Sequence, residues 1–250
     1  MRDDPVAAPL RGPGTFLVTP AARLAIIGHG RMGRAVSALA AERGFAVVAV
    51  LGSADLAPAG ITRELLHAAD VAIEFTTPAA AAPNVRACVA LGCPVVSGTT
   101  GWDEERPGVE ADVRAANGAL LWAPNFSLGA HVFARVAAFT AALVAASDAE
   151  FDSHLTETHH AAKRDAPSGT ARLVAALVRA SSGRDLPTTS VRTGSVPGTH
   201  ELLFDAPFEQ LRIEHVARDR RVFAAGALAA ARWLIGRHGV FTLDHLFGTG

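Results

Sequence analysis

The stretch Leu24-Ala25-Ile26-Ile27-Gly28-His29-Gly30-Arg31-Met32-Gly33 decides the fold. Its first four residues form a short apolar run, the mark of a strand buried on both faces. The run ends in Gly-x-Gly-x-x-Gly, and beyond it Val36, Leu39 and Ala40 recur at helical spacing until Gly44. Strand, glycine turn and helix in this order make the dinucleotide-binding fingerprint. Gly28 permits the tight turn, Gly30 lets the backbone approach a pyrophosphate, and Gly33 lets the helix pack close to the strand. The free N–H groups of the helix start face the phosphates. The same residues also suit a plain glycine-rich turn, so the surrounding pattern has to choose.

That pattern alternates. Phe45 to Leu51 reads as a second strand, 62–69 as a short helix, and Val71 to Phe75 as a third strand. An alanine-rich helix follows over 79–91, a fourth strand over Pro94 to Ser97, a helix over 105–117, and a fifth strand from Ala119 to Trp122. Strands and helices alternating with short loops predict an α/β fold, a Rossmann-type doubly wound parallel sheet. In such a sheet, ligands lie beyond the carboxyl ends of the strands. The turns there are Phe75-Thr76-Thr77-Pro78, Gly98-Thr99-Thr100-Gly101 and Ala123-Pro124-Asn125-Phe126-Ser127. Each taken singly is ordinary turn chemistry. Three in register suit contact with a nicotinamide ring and its ribose.

After Ser127 the texture changes. A long helix is expected over 128–146, with Val132, Val136, Phe139, Leu143 and Val144 on its apolar face. A strand over Asp152 to Thr158 and a helix over 169–180, with Leu173, Val174, Leu177 and Val178, come next. Strand-like alternation over 190–223 predicts an antiparallel or mixed sheet with one polar face, and 224–236 returns to helix. The chain therefore divides into an N-terminal extension (1–20), a dinucleotide-binding domain (21–126) and a second, α+β domain (127–223).

Half of the 250 residues are apolar, and the net charge is −1, so no bulk attraction to nucleic acid or to an anionic membrane is expected. A charged partner must be recognised by a local cluster. No stretch approaches the roughly 20 apolar residues that span a bilayer. Residues 1–20 lack a continuous apolar core, which argues against a secretory signal and for a cytoplasmic protein. Cys88 and Cys93 offer neither a disulfide framework nor metal-ligand spacing, and read as buried thiols in a reducing compartment.

The local cluster is Glu157-Thr158-His159-His160-Ala161-Ala162-Lys163-Arg164-Asp165-Ala166-Pro167-Ser168-Gly169-Thr170-Ala171. Two imidazoles, a lysine and an arginine precede a proline break and a helix opened by Ser-Gly-Thr. Cationic donors beside free helix N–H groups suit a small dianion. Lys163 or a histidine can also deliver a proton. A solvated basic loop ahead of a capped helix is the plainer alternative. A zinc site would need further ligands that the spacing does not supply, so no metal is expected.

The end of the second strand bears on the cofactor. An acid there binds the ribose 2′-hydroxyl of NADH, and a base accommodates the 2′-phosphate of NADPH. Here the strand ends Leu51-Gly52-Ser53-Ala54-Asp55. Ser53, Arg31 and Arg34 favour a phosphate, and Asp55 would serve a ribose if the loop folds back. The cofactor is NADPH or NADH, with the balance toward NADPH.

Gly-x-Gly-Arg-Met-Gly, Phe-Thr-x-Pro, Gly-Thr-Thr-Gly, Ala-Pro-Asn-Phe-Ser and above all the His-His-Lys run together resemble the 4-hydroxy-tetrahydrodipicolinate (dihydrodipicolinate) reductase family. The resemblance covers about 23–247. It implies a dinucleotide domain completed by the C-terminal segment (224–250) and a substrate domain, also the oligomerisation domain, whose sheet builds a homotetramer. The implied activity is NAD(P)H-dependent reduction of a cyclic dicarboxylate to tetrahydrodipicolinate in lysine and diaminopimelate biosynthesis, with water lost. By the same resemblance His159 is the acid/base residue and Lys163 the proton donor, while His160, Gly169 and Thr170 bind substrate. Gly28, Gly30, Arg31, Met32 and Gly33 hold the pyrophosphate. Gly98, Thr99, Thr100, Ala123, Pro124, Asn125 and Phe126 contact the nicotinamide side. Arg192-x-Gly194-x-x-x-Gly198-x-His200 resembles a second signature of the substrate domain. Three departures stand out: the glycine turn is one residue shorter than the common form, Glu74 stands where aspartate is usual, and Gly52 replaces the acid of the second strand. The alternatives are an amino-acid dehydrogenase of aspartate-dehydrogenase type and a dinucleotide-binding sensor or scaffold without catalysis.

Overall fold

The structure, a computed structural model, describes residues 20–56, 60–147 and 150–248. The extension expected over 1–20 lies outside the described residues except for Pro20. The chain runs β1 (Ala22–Ile27), α1 (Arg31–Ala40), β2 (Phe45–Leu51), α2 (Ser53–Leu56), α3 (Arg63–Leu66), β3 (Val71–Glu74), α4 (Pro78–Ala90), β4 (Val95–Ser97), α5 (Arg106–Ala115) and β5 (Ala119–Trp122). It continues through α6 (Leu128–Ala146), β6 (Asp152–His159), α7 (Gly169–Ser182), β7 (Thr188–Arg192), β8 (Thr199–Ala206), β9 (Glu209–Val216), α8 (Arg221–Leu234), β10 (Gly239–Phe241) and α9 (Leu243–Leu246).

The first sheet is parallel throughout, in the order β10-β5-β4-β3-β1-β2. Its strands are apolar on both sides because helices cover both. Ile26, Ile73, Val96 and Leu121 face α1 and α8, while Ala25, Ala72, Val95 and Leu120 face α4 and α5. The chain order reverses between β1 and β3, which places the ligand crevice of this architecture at their carboxyl ends. The sixth strand, β10, was not foreseen. It is three residues long, follows Gly236, and is specified by its pairing with β5 rather than by local pattern.

The second sheet, β7-β6-β8-β9, is mixed: β6 and β7 are parallel and the other pairs antiparallel. Leu155, Leu202 and Phe204 alternate inward and pack with Phe133 of α6 and Val174 of α7. The opposite face is the polar one, with His154, Thr156, Glu201 and Arg212.

Helix α6 corrects the expected apolar face. Val132, Val136, Phe139 and Leu143 are exposed, Phe139 at 67%, and the buried side is Ala130, Phe133, Ala134, Ala137 and Ala141. Alanines let α6 and α7 approach closely, so tight contact rather than side-chain bulk selects the face. By length and composition alone α6 is also apolar enough to cross a membrane, which the sequence reading did not anticipate. Its alanine side nevertheless packs as a core helix does, against α7 and β9.

Helix α8 returns from the second sheet to the first. Ala224, Ala227, Leu228, Ala231 and Leu234 join the cluster containing Ile26 and Leu121. The approach is so close that a Cβ on Gly226 would collide with the carbonyl of Phe126. Gly226→Ala should therefore cost about 1–3 kcal/mol, the usual penalty of overpacking. Urea unfolding of the purified variant measures it.

Candidate functional site

At the end of β1, Gly28 has φ +104° and a Cβ there would overlap the Phe75 carbonyl that follows β3. Gly33 abuts the Gly28 carbonyl in the same way. Gly30 differs: it is the N-cap of α1, and a Cβ on it would meet no atom within 4 Å. The first two glycines serve the protein's own packing, and the third leaves open space at a helix N-terminus. That combination fits a pyrophosphate. Arg31 is exposed and Met32 half-buried in the first turn of α1. Arg34 donates to the His29 carbonyl at 3.2 Å, which braces the loop.

The loop after β2 does fold back. The Asp55 carboxylate accepts a 2.7 Å hydrogen bond from the Gly52 N–H. An acid absent from the strand tip in sequence is thus present there in space.

The other strand ends converge beside this turn. Hydrogen bonds from Gly98 N–H to the Glu74 carbonyl (2.9 Å) and from Ala123 N–H to the Ser97 carbonyl (3.2 Å) extend the ladder past the strands. The indole N–H groups of Trp102 and Trp122 both donate to the Thr99 carbonyl, at 2.8 and 3.2 Å. Thr100 is exposed. Pro124 is exposed too, while Ala123 and Phe126 are buried and the Phe126 ring meets Phe75 edge-on at 6.0 Å. Asn125 accepts from the Ser127 N–H (2.8 Å) and donates to the Thr170 hydroxyl at 3.1 Å. This last contact joins the turn after β5 to the tip of α7.

The tip of α7 is capped by Ser168, whose hydroxyl accepts from the Ala171 N–H at 3.2 Å. Gly169 at the first position is exposed, and Thr170 is half-buried. His159 and His160, adjacent at the end of β6, point apart as strand geometry requires. His160 Nε2 lies 3.2 Å from the Arg220 guanidinium at the start of α8. The Lys163 ammonium pairs with Asp165 at 2.7 Å, and the Lys163 N–H bonds the His160 carbonyl at 3.0 Å.

His159 turns inward, where its Nδ1 bonds the fully buried Glu157 carboxylate. Glu157 also takes a two-pronged ion pair from Arg192 (3.0 and 2.7 Å) and the Ser168 N–H (3.1 Å). Burial raises the Glu157 pKa. The hydrogen bonds from Arg192, Ser190, His159 and the Ser168 N–H outweigh it and hold the group at about 2. Burial lowers the His159 pKa against the pull of Glu157, with Lys163 and Arg192 adding repulsion. His159 is thus neutral near pH 7, and the bond to Glu157 leaves Nε2 as the nitrogen able to exchange a proton. A Cβ on Gly198 would come within 2.9 Å of that Nε2, so the glycine makes room for the ring. Behind it His200 contacts the Ser168 hydroxyl at 3.2 Å, and burial, helped by His159 and His215, drops the His200 pKa to about 4.

In the sequence, Glu157 stands in the basic run and Arg192 and His200 in the second signature, none with a role of its own, and Arg220 carries no signal. The two-residue spacing of Glu157 and His159 on one strand face was a usable signal. The pairing of β6 with β7, which delivers Arg192, was not. Among the described residues, no group of three or more His, Cys, Asp or Glu side chains is arranged to hold a metal ion.

Family models described as dihydrodipicolinate reductase, N-terminus and C-terminus, match residues 22–126 and 129–247. Among relatives, a 4-hydroxy-tetrahydrodipicolinate reductase of Natronomonas pharaonis is 40% identical over 233 residues, covering 83% of this chain and 92% of the relative. One from Xanthomonas axonopodis pv. citri is 39% identical over 232 residues, 88% of this chain and 95% of its own. Among solved structures, a dipicolinate-bound dihydrodipicolinate reductase from Paenisporosarcina sp. TG-14 shares the fold at TM-score 0.74 and 23% identity, covering 88% of this chain and 97% of the other. With both halves matched, the chain belongs to the dihydrodipicolinate reductase family, a group of oxidoreductases that work with a nicotinamide dinucleotide.

Proposed function

We propose that this protein reduces 4-hydroxy-tetrahydrodipicolinate to tetrahydrodipicolinate in lysine and diaminopimelate biosynthesis. The observation that carries the proposal is the Asn125–Thr170 hydrogen bond, which brings the cationic loop and helix tip to the carboxyl ends of the parallel strands. The match to one family over both halves of the chain does not favour the amino-acid dehydrogenase alternative.

The roles divide by chemistry. Ser168 satisfies the Ala171 N–H and leaves the N–H groups of Gly169 and Thr170 for a substrate carboxylate. His160, braced by Arg220, and Lys163 complete the anion-binding pocket. Loss of the 4-hydroxyl as water would leave a conjugated C=C–C=N system, and a bound reduced nicotinamide would supply a hydride to its carbon end. Lys163, held by Asp165, gives the proton that quenches the charge, and His159 serves as acid/base residue through Nε2, its other nitrogen fixed by Glu157. Residues 21–126 with 224–250 form the dinucleotide unit and 127–223 the substrate unit. Copies assemble into a homotetramer through the polar outer face of the second sheet, and the enzyme acts in the cytoplasm.

For the cofactor, Gly28, Gly30, Arg31, Met32 and Gly33 hold the pyrophosphate. The turns Gly98–Thr100 and Ala123–Phe126 hold the nicotinamide side. Asp55 at the tip of β2 offers its carboxylate to a ribose hydroxyl, while Arg31 and Arg34 accommodate a 2′-phosphate, so both NADH and NADPH are used.

Lys163→Ala should lower turnover by about 100-fold or more, the range of a lost general acid, while NADPH affinity stays near wild type. A coupled assay on the aldol product of pyruvate and aspartate semialdehyde reads the first, and a binding titration the second. Unchanged turnover would refute the assigned role. Gly30→Val should fold normally, since its Cβ faces open space, and lose NADPH binding. Isothermal titration tests that. Asp55→Asn should raise KM for NADH roughly tenfold, the worth of one hydrogen bond to a charged group, and leave KM for NADPH unchanged.

A further inference from the structure

Glu74, the last residue of β3, is fully buried, yet among the described residues its carboxylate has no cation as a hydrogen-bond partner. All four hydrogen bonds of its carboxylate are donated to it. Oε1 accepts from the Thr76 N–H at 2.9 Å, from the Thr76 hydroxyl, and from the Thr99 hydroxyl at 2.8 Å. Oε2 accepts from the Ser97 hydroxyl at 2.6 Å. A buried carboxylate is costly unless its lone pairs are filled, and aliphatic packing would be the cheaper way to fill this space. What the carboxylate gains is geometry. Its donors come from the turn after β3, the last residue of β4 and the turn after β4, so one side chain sets the spacing between Thr76 and Thr99.

Thr99 is held at a second point. Its carbonyl accepts from Trp102 and Trp122, while its hydroxyl is committed to Glu74 and also accepts from the Thr76 N–H at 2.8 Å. The Phe75 ring lies where a Cβ on Gly98 would be, which closes the turn from below. Carboxylate, two indoles and a phenyl ring thus clamp Gly98–Thr100 from the protein side, leaving the other side of the turn to the crevice.

We infer that Glu74 is a positioning residue: it holds the Gly98–Thr100 turn in the form that receives the nicotinamide end of the cofactor, and so sets cofactor affinity. The inference rests on the cleft assignment proposed above. Gln at this position keeps the shape but turns a donor toward the Ser97 hydroxyl or the two threonines, each already donating. Asp keeps the charge and both acceptor oxygens on a shorter stem.

The test is the equilibrium affinity of the full-length protein for NADPH, read by quenching of tryptophan fluorescence, since Trp102 and Trp122 touch the turn. Glu74→Gln should raise Kd for NADPH by about tenfold or more, the cost of one misplaced buried donor. KM for the dicarboxylate should stay within about twofold, and Glu74→Asp should recover most of the affinity. Ser97→Ala removes one donor and leaves the rest, and serves if Glu74→Gln does not fold; its Kd should rise a few-fold. A folded Glu74→Gln or Ser97→Ala protein with wild-type Kd would overturn the inference, as would a parallel rise in Kd and in KM for the dicarboxylate. Gly30→Val separates the two levels. If it loses NADPH while Glu74→Gln keeps it, only the positioning role is wrong. If Gly30→Val also keeps it, the cleft assignment is wrong and the inference falls with it.

Discussion

The Glu157 carboxylate is the point through which the second half of the molecule is organised. It has no contact with solvent, so every lone pair must be filled from inside. The donors arrive from three places: the Arg192 fork from β7, His159 from its own strand, and the backbone of Ser168 just ahead of α7. An uncompensated charge there would be costly, and removing one partner of a buried ion pair typically costs about 3–5 kcal/mol. The same bonds that satisfy Glu157 therefore lock the orientation of His159 and the position of the α7 tip.

The first half uses the same device with different partners. There the neutral hydroxyls of Thr76, Ser97 and Thr99 surround the carboxylate of Glu74. Glu157 is neutralised by a guanidinium and a helix start, whereas the described partners of Glu74 are dipoles. Both sit where several chain segments end together and where backbone pattern alone would leave the turns loose. The Asn125–Thr170 contact joins the first half to the second, from the turn after β5 to the tip of α7.

Much of this was legible in the sequence because it is local. The strand–turn–helix of Ile27 to Gly33, the Ser168 cap and the limits of α6 depend on residues within a few positions of one another. What escaped depends on partners brought from afar. The face of α6 was misjudged because Val132, Val136, Phe139 and Leu143 look more hydrophobic than Ala134, Ala137 and Ala141, while close approach to α7 rewards the smaller set. The role of Arg192 required the register of β6 with β7, which is a tertiary fact. Asp55 was visible as an acid near the tip of β2, but only the folded loop shows that its carboxylate reaches the Gly52 N–H. Gly226 carried no local signal at all, since its constraint is the Phe126 carbonyl a hundred positions earlier in the chain.

The return of α8 and β10 to the first sheet has a consequence for the protein's synthesis. One face of that sheet is covered by Leu228, Leu234 and their neighbours, and its outer edge beyond β5 by β10. As the nascent chain leaves the ribosome, the strands up to Trp122 emerge well before these coverings exist. Ile26, Ile73 and Leu121 stay partly bare, and β5 stays an open edge, until more than a hundred further residues have been translated. At about 5–20 residues per second that is an interval of roughly ten seconds, long enough for chaperones to matter and for neighbouring nascent chains on a polysome to mispair.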